Sequence, residues 1–117
     1  MSNEVKVIDQ TVINGIDTDH VTTVAGKIQA SEDYGKFKFR ARNRWISGAA
    51  SETMVQDFFA GGMERADRQA PFLVKADQPF FLAGTNTAPN SVEHVLHALT
   101  SCLTTTLAYH ASVQGIA

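Results

Sequence analysis

The longest segment without a helix breaker constrains the fold most. From Ser91 to Val113 the chain contains neither proline nor glycine, and apolar or small residues recur at three- and four-residue intervals. Asn90 can cap this segment, and Glu93 three residues later completes a capping box. The pattern predicts a helix over Ser91–Val113 that is apolar or small nearly all round. Such a helix has to be buried on more than one side, so a sheet has to cover it.

The residues that could form this sheet lie upstream of the helix. The sequence KFKFRARNRW at residues 36–45 alternates basic residues with aromatic or small ones, which predicts a strand with one buried and one solvated face. The strand candidates are residues 36–45, 53–60, 72–76 and 80–83. The intervening turns and loops are residues 47–50, 61–62, 63–69, 77–79 and 84–89. The pattern predicts an α+β fold in which an antiparallel sheet packs on the long helix.

A shorter amphipathic helix precedes the sheet. Asn14 and Gly15 indicate a turn, Asp17 or Thr18 can cap the helix, and the apolar period ends near Ala30. With 117 residues the chain fits a single domain, 1–117. Its parts are a polar segment with the short helix, residues 1–34, and the sheet with the long helix, residues 35–117.

Composition and charge exclude several classes of protein. Net charge is −2, which argues against nucleic acid or an acidic membrane surface as a partner. No apolar run approaches the roughly 20 residues of a membrane span, and the N-terminus does not resemble a signal peptide. One cysteine cannot form an internal disulfide, so we expect a cytoplasmic protein with a reduced thiol. Gly115 normally introduces a further strand, so we also expect a chain truncated at its C-terminus.

Cys102 is the first residue that could carry chemistry. It lies too deep in the predicted helix for the helix dipole to stabilise its thiolate, because that effect fades within one turn. Its helical neighbours are apolar or carry hydroxyls, and thiols in such settings are usually buried and inert. A reactive Cys102 would need a cation from elsewhere in the fold. Arg40, Arg42 and Arg44 are the candidates, although a row of this kind is more often a solvated strand face.

Histidines in the long helix invite a metal interpretation. His94 and His97 are three residues apart and could share an ion. Cys102 points about 140° away from His97, however, and no third ligand joins the pair. We therefore predict no metal and no cofactor. Glu93 has a sufficient structural role as the acid of the capping box.

The sequence of residues 77–116 carries a family resemblance. It reads DQPFFLAGTNTAPNSVEHVLHALTSCLTTTLAYHASVQGI. An acidic residue and a proline precede a short strand, a glycine loop with Pro-Asn follows, and a Glu early in a long helix precedes a helical cysteine. This order resembles the OsmC/Ohr superfamily, and with the upstream strand ending in Trp45 the resemblance covers about residues 37–116.

The resemblance implies an OsmC-like α+β fold in which two chains intertwine, so that a sheet wraps the buried central helices. It implies a thiol-dependent hydroperoxide reductase of the oxidative stress response, with its active sites at the homodimer interface. Cys102 would be the nucleophile, Arg44 the thiolate partner and Glu93 the acid that orients it. The substrate would be an organic hydroperoxide and the reductant a dithiol such as a lipoylated protein. A non-catalytic dimer that binds a small apolar ligand, or acts as a scaffold, is the alternative.

Three positions differ from the peroxidase members of that family. Their acid lies ten residues before the cysteine, where this chain has Val92, and Glu93 follows one place later. Their arginine lies in the turn that is residues 47–51 here, so Arg44 is a neighbour of that position. Their resolving cysteine, late in the chain, has no counterpart in a sequence with one cysteine.

Overall fold

The computed structural model describes residues 11–117 and has mixed α and β structure, with antiparallel sheets and two helices. The elements in chain order are β1 (Val12–Ile13), β2 (Ile16–Asp17), α1 (Thr18–Ala30), β3 (Arg42–Ser47), β4 (Ala50–Val55), β5 (Phe58–Ala60), β6 (Met63–Arg65), β7 (Phe72–Ala76) and α2 (Ser91–Val113). The α+β class is confirmed. What we predicted for residues 1–10 lies outside the described residues. Within residues 11–117, no helix has both the length and the apolar content that a bilayer crossing requires.

The N-terminal hairpin and α1 follow the sequence closely. Asn14 and Gly15 form the two-residue turn between β1 and β2, both at positive φ (53° and 79°), as a tight hairpin turn requires. Asp17 then caps α1 by accepting a hydrogen bond of 3.2 Å from the backbone N–H of His20. The predicted turn, cap and helix end at Ala30 are confirmed.

The three-stranded sheet has the order β3–β4–β7 and is antiparallel throughout. The turn between β3 and β4 is at the predicted place, with Gly48 at φ 59°. The predicted strand 36–45 was wrong at its start, because β3 begins only at Arg42, and Lys38 instead forms an isolated bridge with Phe59. The predicted strand 53–60 was also wrong. It is divided between β4 and β5, which belong to different sheets.

A reciprocal pair of hydrogen bonds explains that division. The Gln56 side chain donates to the carbonyl of Arg68 (3.0 Å), and the Arg68 guanidinium donates to the carbonyl of Gln56 (2.9 Å). These bonds divert the chain after β4 into a second hairpin, β5–β6. Gly61 and Gly62, at φ 60° and 81°, close that hairpin and fold Met63–Arg65 back as a strand where we predicted a loop.

Residues 80–83 were predicted as a strand, and this was wrong: Phe80–Leu82 is a 3-10 turn. The carboxylate of the preceding Asp77 gathers the backbone and hydroxyls of Thr85 and Thr87, and this pulls the intervening residues into a compact loop. A strand would need an extended path that these hydrogen bonds do not allow.

Helix α2 has the predicted bounds, cap and capping box, with Asn90 and Glu93 exchanging hydrogen bonds of 2.9 and 3.0 Å. It ends in a Schellman motif at Gly115, φ 76°. Its predicted burial was wrong within this chain, because among the described residues no hydrophobic side chain is buried and Ser112 is the one buried residue of α2. The burial of a helix depends on the elements that pack against it, and the spacing of its own apolar residues does not identify those elements.

The dimensions of the chain agree with an uncovered helix. The radius of gyration is 19.4 Å, whereas a compact chain of this length would have about 13 Å. The accessible surface is 9150 Å², against about 6,200 Å² for a globular monomer of this size. The chain therefore does not enclose its own apolar surface.

Candidate functional site

Cys102 lies in the middle of α2, exposed and as a free thiol. The predicted burial of this residue was wrong for the single chain. No hydrogen bond from any described side chain reaches its sulfur. Leu99 and Val95, one and two turns before it, lie within about 60° of it around the helix, so the thiol borders an apolar surface.

That surface is a stripe along one side of α2, which we call the apolar stripe. Its members share a sector of about 120° around the helix axis. They are Val92, Val95, Leu96, Leu99, Leu103 and Leu107, each between 54% and 72% exposed. The opposite side carries small and hydroxyl residues, among them Ser101 and Thr104. The prediction of a helix apolar or small all round missed this division, because threonine, serine and alanine were counted with the leucines.

Contacts with the rest of the chain hold α2 by the side opposite the apolar stripe. The Asn14 amide donates to the Ser112 hydroxyl (3.1 Å) and to the carbonyl of Ile116 (2.8 Å) at one end of the helix. At the other end the His94 Nε2 lies 2.8 Å from the carbonyl oxygen of Lys75 in β7. Ser112 and His94 are both far around the helix from Leu99, so the apolar stripe faces away from the chain.

The sheet presents two different faces to its surroundings. Asn43 donates to the hydroxyls of Ser51 (3.1 Å) and Thr53 (3.0 Å), and these three residues line a groove together with Ser91 and His94 of α2. Side chains alternate along a strand, so their neighbours in sequence lie on the opposite face. The start of α2 is therefore on the hydroxyl face of the sheet.

The candidate arginines of β3 lie on the other face. Arg44 pairs with Glu52 across the strands at 3.4 Å, and its side chain is 74% exposed. Arg42 lies two residues before it on the same face and makes no ion pair within residues 11–117. Within one chain, both arginines point away from the side of the sheet on which α2 begins.

Arg40 is engaged in an ion pair away from Cys102. Its guanidinium makes a bidentate pair with Glu64 of β6, at 2.5 and 3.0 Å. The hydrogen bonds of this pair raise the pKa of Arg40 and lower the pKa of Glu64. Arg40 therefore joins the segment before β3 to β6 and is the least available of the three candidates.

Glu93 lies nine positions before Cys102 in α2. That spacing places the two side chains on opposite sides of α2 and about 13 Å apart along its axis. The Glu93 carboxylate accepts the Asn90 backbone N–H at 3.0 Å. The described chain thus does not bring Cys102, Arg44 and Glu93 together.

Metal binding was not predicted. His94 is engaged with the Lys75 carbonyl, as described above, and His97 lies beside it on the helix. The described residues contain no group of three or more histidine, cysteine or acidic side chains that could hold a metal ion.

Sequence reasoning missed the role of Asp77, which we treated only as a turn residue. It is 2% exposed and accepts hydrogen bonds from the backbone N–H groups of Gln78, Thr85 and Thr87 and from both threonine hydroxyls. The threonine hydroxyls, together with the backbone donors, hold the pKa of this carboxyl far below its usual range. Its own N–H donates to the carbonyl of Pro89 at 3.2 Å. Asp77 therefore connects the end of β7 to the start of α2. The sequence pattern that could have indicated this connection is an aspartate followed eight and ten residues later by threonines.

Comparison of the chain with models of protein families finds no match. Comparison with curated proteins also finds none.

Proposed function

We propose that this chain is an OsmC-like, thiol-dependent hydroperoxide reductase that acts as a homodimer, with Cys102 as its nucleophile. One observation carries the proposal: the single thiol of the chain is exposed beside an apolar stripe that no other part of the described chain covers. An exposed thiol beside an uncovered apolar surface suits a site that a second chain completes and an apolar peroxide enters.

The proposed reaction needs one thiolate. The Cys102 sulfur attacks the distal oxygen of an organic hydroperoxide, the O–O bond breaks, and the alkoxide takes a proton and leaves as an alcohol. The sulfur is oxidised to a sulfenic acid. A dithiol reductant then attacks that sulfur, water leaves, and the mixed disulfide is resolved by the second thiol of the reductant. Because this sequence has a single cysteine, the proposal takes both thiols of the reduction step from the reductant.

The cation that activates the thiolate comes, in this proposal, from the second copy. Arg44 points away from the side of the sheet on which its own α2 begins and makes one long contact to Glu52. The Arg44 side chain is 74% exposed, so its guanidinium is accessible to a second copy, whereas the Glu52 side chain that it contacts is only 15% exposed. Arg42, on the same face, is the second choice.

Energetics favour covering the apolar stripe. Full burial of one valine or leucine side chain stabilises a protein by roughly 1.5–3 kcal/mol. Six such residues, each more than half exposed, could contribute as much as the roughly 5–15 kcal/mol that holds a whole domain folded. In a two-fold dimer the sheet face that carries Arg44 in each copy can cover the apolar stripe of the other copy, so that both stripes are buried at once.

Turnover of cumene hydroperoxide with dihydrolipoamide as reductant tests the proposal. We expect the native chain to consume peroxide until the reductant is exhausted, and the Cys102→Ser variant to be inactive. The rate constant per thiol should exceed that of free cysteine at neutral pH by orders of magnitude. A rate equal to that of free cysteine would contradict the proposal.

The alternative is a non-catalytic dimer that binds a small apolar ligand or serves as a scaffold. It is favoured by the absence, within residues 11–117, of any hydrogen bond from an arginine or lysine side chain to the exposed Cys102 sulfur. In this case peroxide would react with Cys102 no faster in the folded protein than in the denatured one.

A further inference from the structure

A half-enclosed cavity of about 320 Å³ lies away from Cys102, between α1 and the β5–β6 hairpin. Its size falls at the lower end of the range of small-molecule sites, which is about 300–1,000 Å³. The lining includes His20, Tyr34, Phe37, Phe58, Arg65 and Asp67. Four separate segments of the chain therefore converge on a space that none of the described side chains fills.

The walls of this cavity are aromatic. Phe58 and Tyr34 are half-buried, and Phe37, which also lines the cavity, is 49% exposed. Phe37 stacks on Phe39 (ring centroids 6.1 Å apart), and Phe39 stacks on Phe58 (5.4 Å), so two of the walls are held by a row of rings. Such walls suit a flat, apolar ring.

Gly61 allows the floor of the cavity to form. A Cβ built on this glycine would lie 2.5 Å from the Arg65 guanidinium and 3.1 Å from the Tyr34 ring. Its φ of 60° also disfavours other residues. The glycine therefore lets a cationic side chain and an aromatic ring meet at one point of the floor.

Arg65 supplies a fixed cation. Its Nε donates to the carbonyl of Ala60 at 2.9 Å, which orients the guanidinium. In the part of the chain that the structure describes, its terminal nitrogens have no carboxylate partner. The Lys27 ammonium lies 5.8 Å from the centroid of Tyr34 and adds positive charge nearby. Asp67, the opposing charge among the lining residues, makes no ion pair with Arg65.

Phe39 stacks on Phe58, and the Arg68 guanidinium lies 4.9 Å from the centroid of the same ring, so Phe58 presents its edge to a ligand. From this juxtaposition we propose that the cavity binds a small aromatic carboxylate, whose ring packs against Tyr34 and the edge of Phe58 and whose carboxylate accepts hydrogen bonds from the terminal nitrogens of Arg65. A planar fork of donors fits a carboxylate better than it fits a neutral group. The proposal does not involve Cys102 and is independent of the peroxidase.

Titration of the native protein with three probes, followed by ¹H–¹⁵N NMR, tests it. Phenylacetate should shift the amide signals of Tyr34, Ala60 and Gly61 and saturate. 2-Phenylethanol keeps the ring without the charge, and cyclohexylacetate keeps the charge without the ring. Both should bind at least about tenfold more weakly, because one loses a charge-assisted hydrogen bond and the other loses ring stacking.

Variants check the cation separately. Arg65→Gln should reduce phenylacetate affinity to that of 2-phenylethanol and leave the affinity for the alcohol unchanged, which also shows that the cavity still folds. Arg42→Gln is the matched control, because that arginine lies outside the cavity, and it should change neither affinity. Equal binding of acid and alcohol, shifts confined to other residues, or no binding of phenylacetate would each overturn the proposal.

Discussion

Shortening two residues of the apolar stripe should dissociate the proposed dimer. Leu99 is 56% exposed and Leu103 is 61% exposed in the single chain. At roughly 1.5–3 kcal/mol for complete burial of a leucine, covering the exposed part of each side chain contributes about 0.8–1.8 kcal/mol. Two residues in each of two copies give about 3.5–7 kcal/mol, which corresponds to a dissociation constant weaker by about 10²–10⁵-fold.

Sedimentation velocity across a concentration series measures this change directly. Leu99→Ala/Leu103→Ala should sediment as a monomer at concentrations where the parent is a dimer. Alanine is the best helix former, so the circular dichroism of the monomer should keep its helical signal. Ser101→Ala/Thr104→Ala is the matched control on the opposite side of α2 and should leave the dimer intact. A parent chain that is a folded monomer at micromolar concentration, or variants with unchanged dissociation constants, would refute the reasoning.

Four further outcomes are expected. Asp77→Asn should loosen the loop before α2. The pKa of the Asp77 carboxyl is lowered in the folded protein, so its contribution to stability is present above the unfolded pKa of about 3.9 and is lost as the pH falls below that value. The free energy of unfolding of the variant, measured by circular dichroism from about pH 5 to 2, should therefore depend less on pH than that of the parent. Asn90→Ala should cost about 1 kcal/mol in urea unfolding, whereas Asn90→Ser, which keeps a capping oxygen, should cost less. Arg44→Ala should slow alkylation of Cys102 by iodoacetamide at neutral pH, whereas Arg40→Ala, which removes an arginine held by an acid, should not. Stoichiometric cumene hydroperoxide without reductant should convert Cys102 to over-oxidised or intermolecularly cross-linked forms, visible by mass spectrometry; an unmodified thiol would contradict the peroxidase.

Features that short segments determine were predictable from the sequence. The caps at Asp17 and Asn90, the turn at Asn14 and the helix end at Gly115 each depend on residues within one or two turns, and all four are confirmed. The strand at Phe72–Ala76 also agrees, because its ends coincide with a proline before it and the Asp77 turn after it.

Features that distant partners determine were not predictable. The division of residues 53–60 depends on the reciprocal bonds between Gln56 and Arg68, and the 3-10 turn at Phe80–Leu82 depends on Asp77 and its threonines. The part of the predicted burial of α2 that one chain was to supply is missing for the same reason. The spacing of apolar residues along a helix shows which side of the helix has to be buried, but it does not show which surface buries that side.

The sequence could likewise place some residues of the candidate site and not others. Cys102 and Glu93 could be placed on α2 from the helical period, and the period also puts them on opposite sides of the helix. Whether Arg44 approaches the thiol depends on the arrangement of two sheets and two copies, which no local pattern specifies. The assignments of Arg44 and Glu93 to the site therefore stay predictions.

Mixing two inactive variants tests the central claim, a thiol activated by an arginine of the second copy. Arg44→Ala lacks the cation and Cys102→Ser lacks the nucleophile, and each should be inactive alone. Refolded together in equal amounts, half of the dimers pair one chain of each kind, and each such dimer holds one intact site. Peroxide turnover should then return to about a quarter of the parental value. Turnover no greater than the sum of the two variants measured separately would contradict the account.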